Sequence, residues 1–121
     1  MREVGGTTRI DLGGGASLEV KRLTWREEMA LQKLHPVPEG DAAKAETDDA
    51  RSARNAAYAL DGVASCVVSM SGFTVAGVDA SVTTDMETRT KIVASLTASE
   101  FARVHAAVFG AIAEEEQGLK N

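Results

Sequence analysis

Thr7-Thr8-Arg9-Ile10-Asp11-Leu12-Gly13-Gly14-Gly15-Ala16-Ser17-Leu18-Glu19-Val20-Lys21-Arg22-Leu23-Thr24-Trp25-Arg26-Glu27 is the stretch on which the fold turns. Thr8, Ile10 and Leu12 alternate with Thr7, Arg9 and Asp11, the period of two that marks a half-buried strand. After the glycine triplet the alternation resumes, with Leu18 and Val20 opposed to Glu19 and Lys21. Residues 7–23 therefore read as a β-hairpin whose turn is supplied by glycines that tolerate positive φ. The triplet is not a phosphate-cradling loop. No Gly-Lys-Ser/Thr follows it, and a strand comes next where a phosphate site needs a helix N-terminus. Thr24 and Glu27 then stand at capping-box spacing and open a helix over 24–34.

Working outward, His35-Pro36-Val37-Pro38 ends that helix, because each proline turns its preceding residue away from the helical region. Residues 35–48, rich in Ala, Asp, Glu and Lys, read as a linker. Asp48 or Asp49 can cap the next element. Ala53, Ala56, Ala57, Leu60, Ala64 and Val67 recur at helical spacing, so a long buried helix is expected over 49–71, closed by Gly72 as a left-handed cap. Its second half enters a run of 17 uncharged residues, Gly62 to Val78, which is too poor in Leu, Ile and Phe for a membrane span and reads as core. Residues 72–83 suit a loop or a short hairpin. Thr84 and Glu87 form a second capping box for a helix over 84–96, with Met86, Ile92, Val93 and Leu96 as its apolar positions. Thr97 and Glu100 form a third, flanked by Leu96 and Phe101 as a hydrophobic staple, for a helix over 97–116. That helix carries Phe101, Val104, His105, Val108, Phe109 and Ile112 in one stripe, and a tail follows at 117–121. The expected architecture is one domain over 1–121 of α+β class, mainly α, with the N-terminal β-hairpin packed on a bundle of about four helices.

Composition limits function. Valine, leucine, isoleucine and phenylalanine number 26 of 121 residues, close to the level of chains that do not fold alone, so stability rests on many small contacts or on a partner. A possible homo-oligomer follows from the same shortage. With net charge −5 and no cluster of Lys and Arg among aromatics, neither nucleic acid nor an anionic membrane is an expected partner. Cys66 is the one cysteine, so no internal disulfide can form, and with two histidines it has no zinc spacing. The N-terminus has no apolar h-region, which suggests a cytosolic product.

No catalytic constellation assembles from the sequence, and no cofactor or metal is expected. Ser65, Ser69 and Ser71 lack the glycine-flanked elbow of a hydrolase nucleophile. Glu27-Glu28 and Asp48-Asp49 are adjacent pairs, which diverge by about 100° on a helix and cannot share a substrate atom. His105 lies within an apolar stripe and reads as a core residue. An interaction protein, not an enzyme, is expected. Trp25 and Met29, one helical turn apart, are the first candidate partner-binding residues, followed by Phe73 and Phe109. The packing alternative, in which Trp25 docks the hairpin's apolar face onto the helix, is the more ordinary role for such a residue.

The segments Arg9-Ile10-Asp11-Leu12-Gly13-Gly14-Gly15, Leu18-Glu19-Val20-Lys21-Arg22-Leu23-Thr24 and Trp25-Arg26-Glu27-Glu28 together resemble the start of tail assembly chaperones of long-tailed bacteriophages. Val67-Val68-Ser69-Met70-Ser71-Gly72 and Leu96-Thr97-Ala98-Ser99-Glu100-Phe101 are similar in character to the C-terminal half of that family. The resemblance implies a non-catalytic protein of the host cytoplasm that binds the tape measure protein, helps recruit tail tube protein, and is not expected in the mature virion. The alternative is a structural virion component such as a head–tail connector or tail completion protein.

Overall fold

The computed structural model describes residues 6–75, 77–79 and 85–110. Strands β1 (Thr7–Gly13) and β2 (Ala16–Lys21) form the expected antiparallel hairpin, with Ile10 opposite Leu18 and Thr8 opposite Val20. Gly13, Gly14 and Gly15 all take positive φ through the turn. The alternation holds: Ile10, Leu18 and Val20 are buried, while Arg9 and Asp11 face solvent. Helix α1 (Trp25–Leu34) opens on the expected capping box, in which Thr24 Oγ1 accepts from Glu27 N at 3.2 Å and Glu27 Oε1 accepts from Thr24 N at 3.0 Å.

The central segment departs from expectation. Helix α3 spans Asp48–Ser65, not 49–71, and is capped by Thr47, whose side chain accepts from Ala50 N, and by neither aspartate. Only Gly62, Val63 and Ala64 in its last turns are buried, so the expected buried helix is exposed along most of its length. Val67–Ser71 is a third strand, β3, antiparallel to β2, giving the sheet order β1-β2-β3. The physical reason is that the β-branched pair Val67-Val68 favours a pleated surface. A bulge at Val68 shifts the register between Val67↔Val20 and Ser69↔Glu19, placing Val67 and Met70, three residues apart, on the buried side. Spacing of three imitates a helix in sequence. Gly72 therefore caps no helix. It has φ of +78°, and a Cβ there would stand 2.2 Å from the Gly15 carbonyl oxygen, so its missing side chain lets the end of β3 lie against the hairpin turn.

The expected linker holds a short helix, α2 (Gly40–Ala45), none of whose residues is buried. The segment 72–83 contains the short antiparallel pair β4 (Thr74–Val75) and β5 (Val78–Asp79). Helix α4 (Met86–Ala94) starts at Asp85, which accepts from Glu87 N at 3.0 Å; the proposed cap Thr84 lies outside the described residues. Helix α5 (Ala98–Phe109) has the expected capping box between Thr97 and Glu100. Its expected continuation to residue 116 and the tail 117–121 lie outside the described residues.

The protein is thus α+β, with five helices among the described residues, and the 56% of those residues that are helical make it mainly α. Every one of β1, β2, β3, the end of α3, α4 and α5 contributes to a single buried cluster, built on Leu18, Val20, Val63, Val93, Val104 and Val108, none of which is more than 1% exposed. Backbone bonds tie the layers: Lys21 N donates to Cys66 O, and Leu23 N to Val108 O, each at 2.9 Å. Cys66 itself is buried and free, and burial pushes its thiol up, so it serves as a small apolar residue. Helix α1 stands outside that cluster and reaches the body through its one buried residue, Leu31.

Leu31 and Phe109 converge on Gly62, where a Cβ would stand 3.0 Å from Leu31 Cδ2 and 2.4 Å from Phe109 Cζ. Gly62→Ala is expected to destabilise the protein by about 1–3 kcal/mol through overpacking, despite alanine's better helix propensity. Leu18→Ala, at the sheet centre, should cost about 2–5 kcal/mol. Equilibrium denaturation of the two variants against the parent measures both.

Candidate protein-binding surface

Leu31 follows Met29 by two residues, about 200° around the helix at 3.6 residues per turn, so seating Leu31 against Gly62 turns Met29 outward. Trp25, one turn before Met29, shares that outward face. The two are 76% and 41% exposed. The packing role expected for Trp25 does not hold; the hairpin's apolar face is covered instead by α5 and the end of α3. Glu27 fixes this rotation from the other end of the helix, since its carboxylate both closes the capping box and pairs with Lys21 at the end of β2. The Lys21 ammonium beside it holds the Glu27 carboxyl below the usual carboxylate range.

Beside this ridge runs a groove of about 450 Å³ between α1, the segment after it and α3. Tyr58, Pro36 and Val37 give it apolar walls, and Gln32 and Asn55 give it amides. Two more large apolar side chains lie open at this end of the molecule, Leu34 at 72% and Val37 at 66% exposure. The groove is braced by polar contacts. His35 Nε2 lies 2.5 Å from Asp61 Oδ2 and donates to it, joining the C-terminal cap of α1 to α3. Arg54 makes two bonds to Glu46, both of 3.0 Å, joining α3 to the residue that ends α2. The Arg54 guanidinium lowers the Glu46 carboxyl, while burial and the Glu28 carboxylate push the Tyr58 hydroxyl up.

Behind the groove a line of rings crosses the molecule: His35 to Tyr58 at 6.1 Å, Tyr58 to Phe109 at 6.0 Å, Phe109 to His105 at 4.5 Å, and His105 to Phe101 at 5.9 Å. Phe109 is half-buried and belongs to this scaffold, and Phe73 packs against the core. The structure therefore brings Trp25 and Met29 together and places neither Phe73 nor Phe109 with them. Tyr58, Val37 and the His35–Asp61 contact were not singled out in the sequence; the proline pair beside Val37 was the only signal pointing there. His105 stacks at 25° on Phe109, and burial alone pushes its pKa down.

Among the described residues no group of His, Cys, Asp and Glu could hold a metal ion, and no helix is long and apolar enough to cross a membrane. Comparison of the chain with protein-family models, with curated proteins and with solved structures found no match.

Two measurements separate scaffold from surface. Phe109→Ala should destabilise the fold by about 2–4 kcal/mol, whereas Trp25→Ala should stay within about 0.5 kcal/mol of the parent in the same denaturation assay. Because the folded protein holds His105 below its ordinary value, the unfolded chain binds more protons between the two values. The His105 contribution is therefore present at neutral pH and is lost as pH falls through that window. His105→Leu should flatten the loss of stability between pH values of about 7 and 5, read from denaturation midpoints across that range.

Proposed function

We propose that this chain is a non-catalytic tail assembly chaperone of a long-tailed bacteriophage, which binds the tape measure protein, keeps it soluble, and helps recruit tail tube subunits. The observation that supports a client-binding role is the exposed ridge of Trp25 and Met29 on a helix that also carries Arg26, Glu27, Glu28 and Lys33. A tryptophan in this position costs exposed apolar surface without stabilising the body, and a surface that covers it regains that free energy. Trp and Met also suit adaptable recognition of an apolar helix, one through a large rigid area and the other through a flexible thioether. The resemblance of Arg9–Gly15, Leu18–Glu28, Val67–Gly72 and Leu96–Phe101 to that family supports the choice of client. In this reading the protein acts in the host cytoplasm, self-associates or waits for its client, and leaves before the virion is complete.

Co-expression with the tape measure protein of the same genome should raise the client's solubility and give a complex on gel filtration. Trp25→Ala combined with Met29→Ala should weaken that complex at least tenfold while leaving the fold intact by circular dichroism. No complex and no gain in solubility would overturn the reading. Mass spectrometry of purified virions provides the second check: stoichiometric presence of this chain would assign it instead to a connector or tail completion role.

A further inference from the structure

We infer that the groove between α1 and α3 seats an amphipathic helix whose apolar stripe is flanked by basic residues. This deepens the client-binding reading and rests on it for the role of the Trp25 ridge. The apolar requirement comes from the surface itself: Trp25 and Met29 beside the groove, Tyr58, Pro36 and Val37 within it. Its volume of about 450 Å³ takes a few side chains and not a whole helix, so the occupant lies across the groove and inserts one stripe.

A helix fits better than an extended chain. Two of its walls are helices whose backbone groups bond internally, and the third, residues 35–39, is no strand and carries two prolines that lack an N–H, so no strand edge is offered on which an extended segment could satisfy its own N–H and C=O groups. A helical occupant brings those bonds with it. Trp25, Met29 and Gln32 recur at steps of four and three over about 10 Å of α1, the spacing at which a second helix presents its anchors.

The charge follows from what is already paired. Arg54 is committed to Glu46 by two bonds, and the His35 ring to Asp61, so neither offers a cation to an incoming ligand. Glu39 lines the groove, and Glu28 lies one helical turn before the lining residue Gln32 on the same face of α1. Both carboxylates are exposed, no cation among the described residues pairs with either, and together they set a negative rim. Arg26 and Lys33 lie on the far flank of the ridge, about 80–100° around α1 from Trp25, where they repel a basic flank from that side and favour its seating on the groove side.

Two synthetic peptides test this, identical in leucines at positions i, i+3, i+4 and i+7 and differing only in Lys or Glu on the flanks. Trp25 is the single tryptophan, so its emission reports occupancy directly. The Lys peptide is expected to shift that emission to the blue and to bind at least tenfold tighter than the Glu peptide at low salt, the difference shrinking as salt is added. The double variant Glu28→Lys, Glu39→Lys should reverse the preference. An equal reversal outside the groove, Asp11→Lys with Glu87→Lys, should leave it standing and so separates local recognition from net charge. Equal affinity for both peptides, binding of neither, or an unchanged preference in the Glu28, Glu39 variant overturns the inference. If the peptides fail while the tape measure protein still co-purifies in a Trp25-dependent way, the groove chemistry falls and the function stands. The peptide preference without a tape measure complex leaves the groove chemistry and removes the phage assignment.

Discussion

The missing side chain of Gly62 sets how three helices meet. Without a Cβ at that position, Phe109 of α5 and Leu31 of α1 both close onto the backbone of α3, Phe109 at a distance that a methyl group would forbid and Leu31 at one that it would crowd. Glycine in a helix interior costs about 1 kcal/mol relative to alanine, so its place here has to be offset by the contacts it admits. Those contacts decide more than stability. Leu31 is the one buried residue of α1, and seating it against Gly62 sets the rotation of the whole helix. The outward direction of Met29 and Trp25 follows from a glycine more than 30 residues away in sequence.

The core that supports this arrangement is narrow. Its largest fully buried side chains among the described residues are Leu18, five valines counted from β2 to α5, and Cys66, with no aromatic among them. Aromatic rings are used at the edge of the body instead, where half-buried Tyr58, His105 and Phe109 join α1's end to α3 and α5. Edge-to-face and offset ring contacts contribute about 0.5–1.5 kcal/mol each beyond the area they bury. They stiffen the junction on which the groove is built, while small β-branched residues fill the space between sheet and helices.

What could be read from the sequence was local. The hairpin at 7–23 and the capping boxes at Thr24 and Thr97 each depend on residues within a few positions of one another, and each is present as read. The helix expected over 49–71 failed where a non-local pairing took over: β2 offers an edge to Val67–Ser71, and the bulge at Val68 disguises the strand's period. Of the candidate surface, Trp25 and Met29 were visible as a helical pair, but their exposure was not, because it depends on Gly62. Tyr58 and Asp61 could not be joined to His35 without knowing that α3 folds back along α1.

The groove is organised before anything enters it. Pro36 and Pro38 restrict the chain that leaves α1, His35 holds Asp61 at one end, and the Arg54–Glu46 pair anchors the return into α3 at the other. Each of these contacts orders backbone that a binding partner would otherwise have to order at the moment of association, at about 1–2 kcal/mol per residue. The same contacts also use up the nearby arginine and histidine, so that the carboxylates of Glu28 and Glu39 are what the groove presents. Preorganisation and charge selection thus come from one set of side-chain pairs. A substitution that freed Arg54, such as Glu46→Gln, would alter both at once by loosening the loop and placing a cation at the rim.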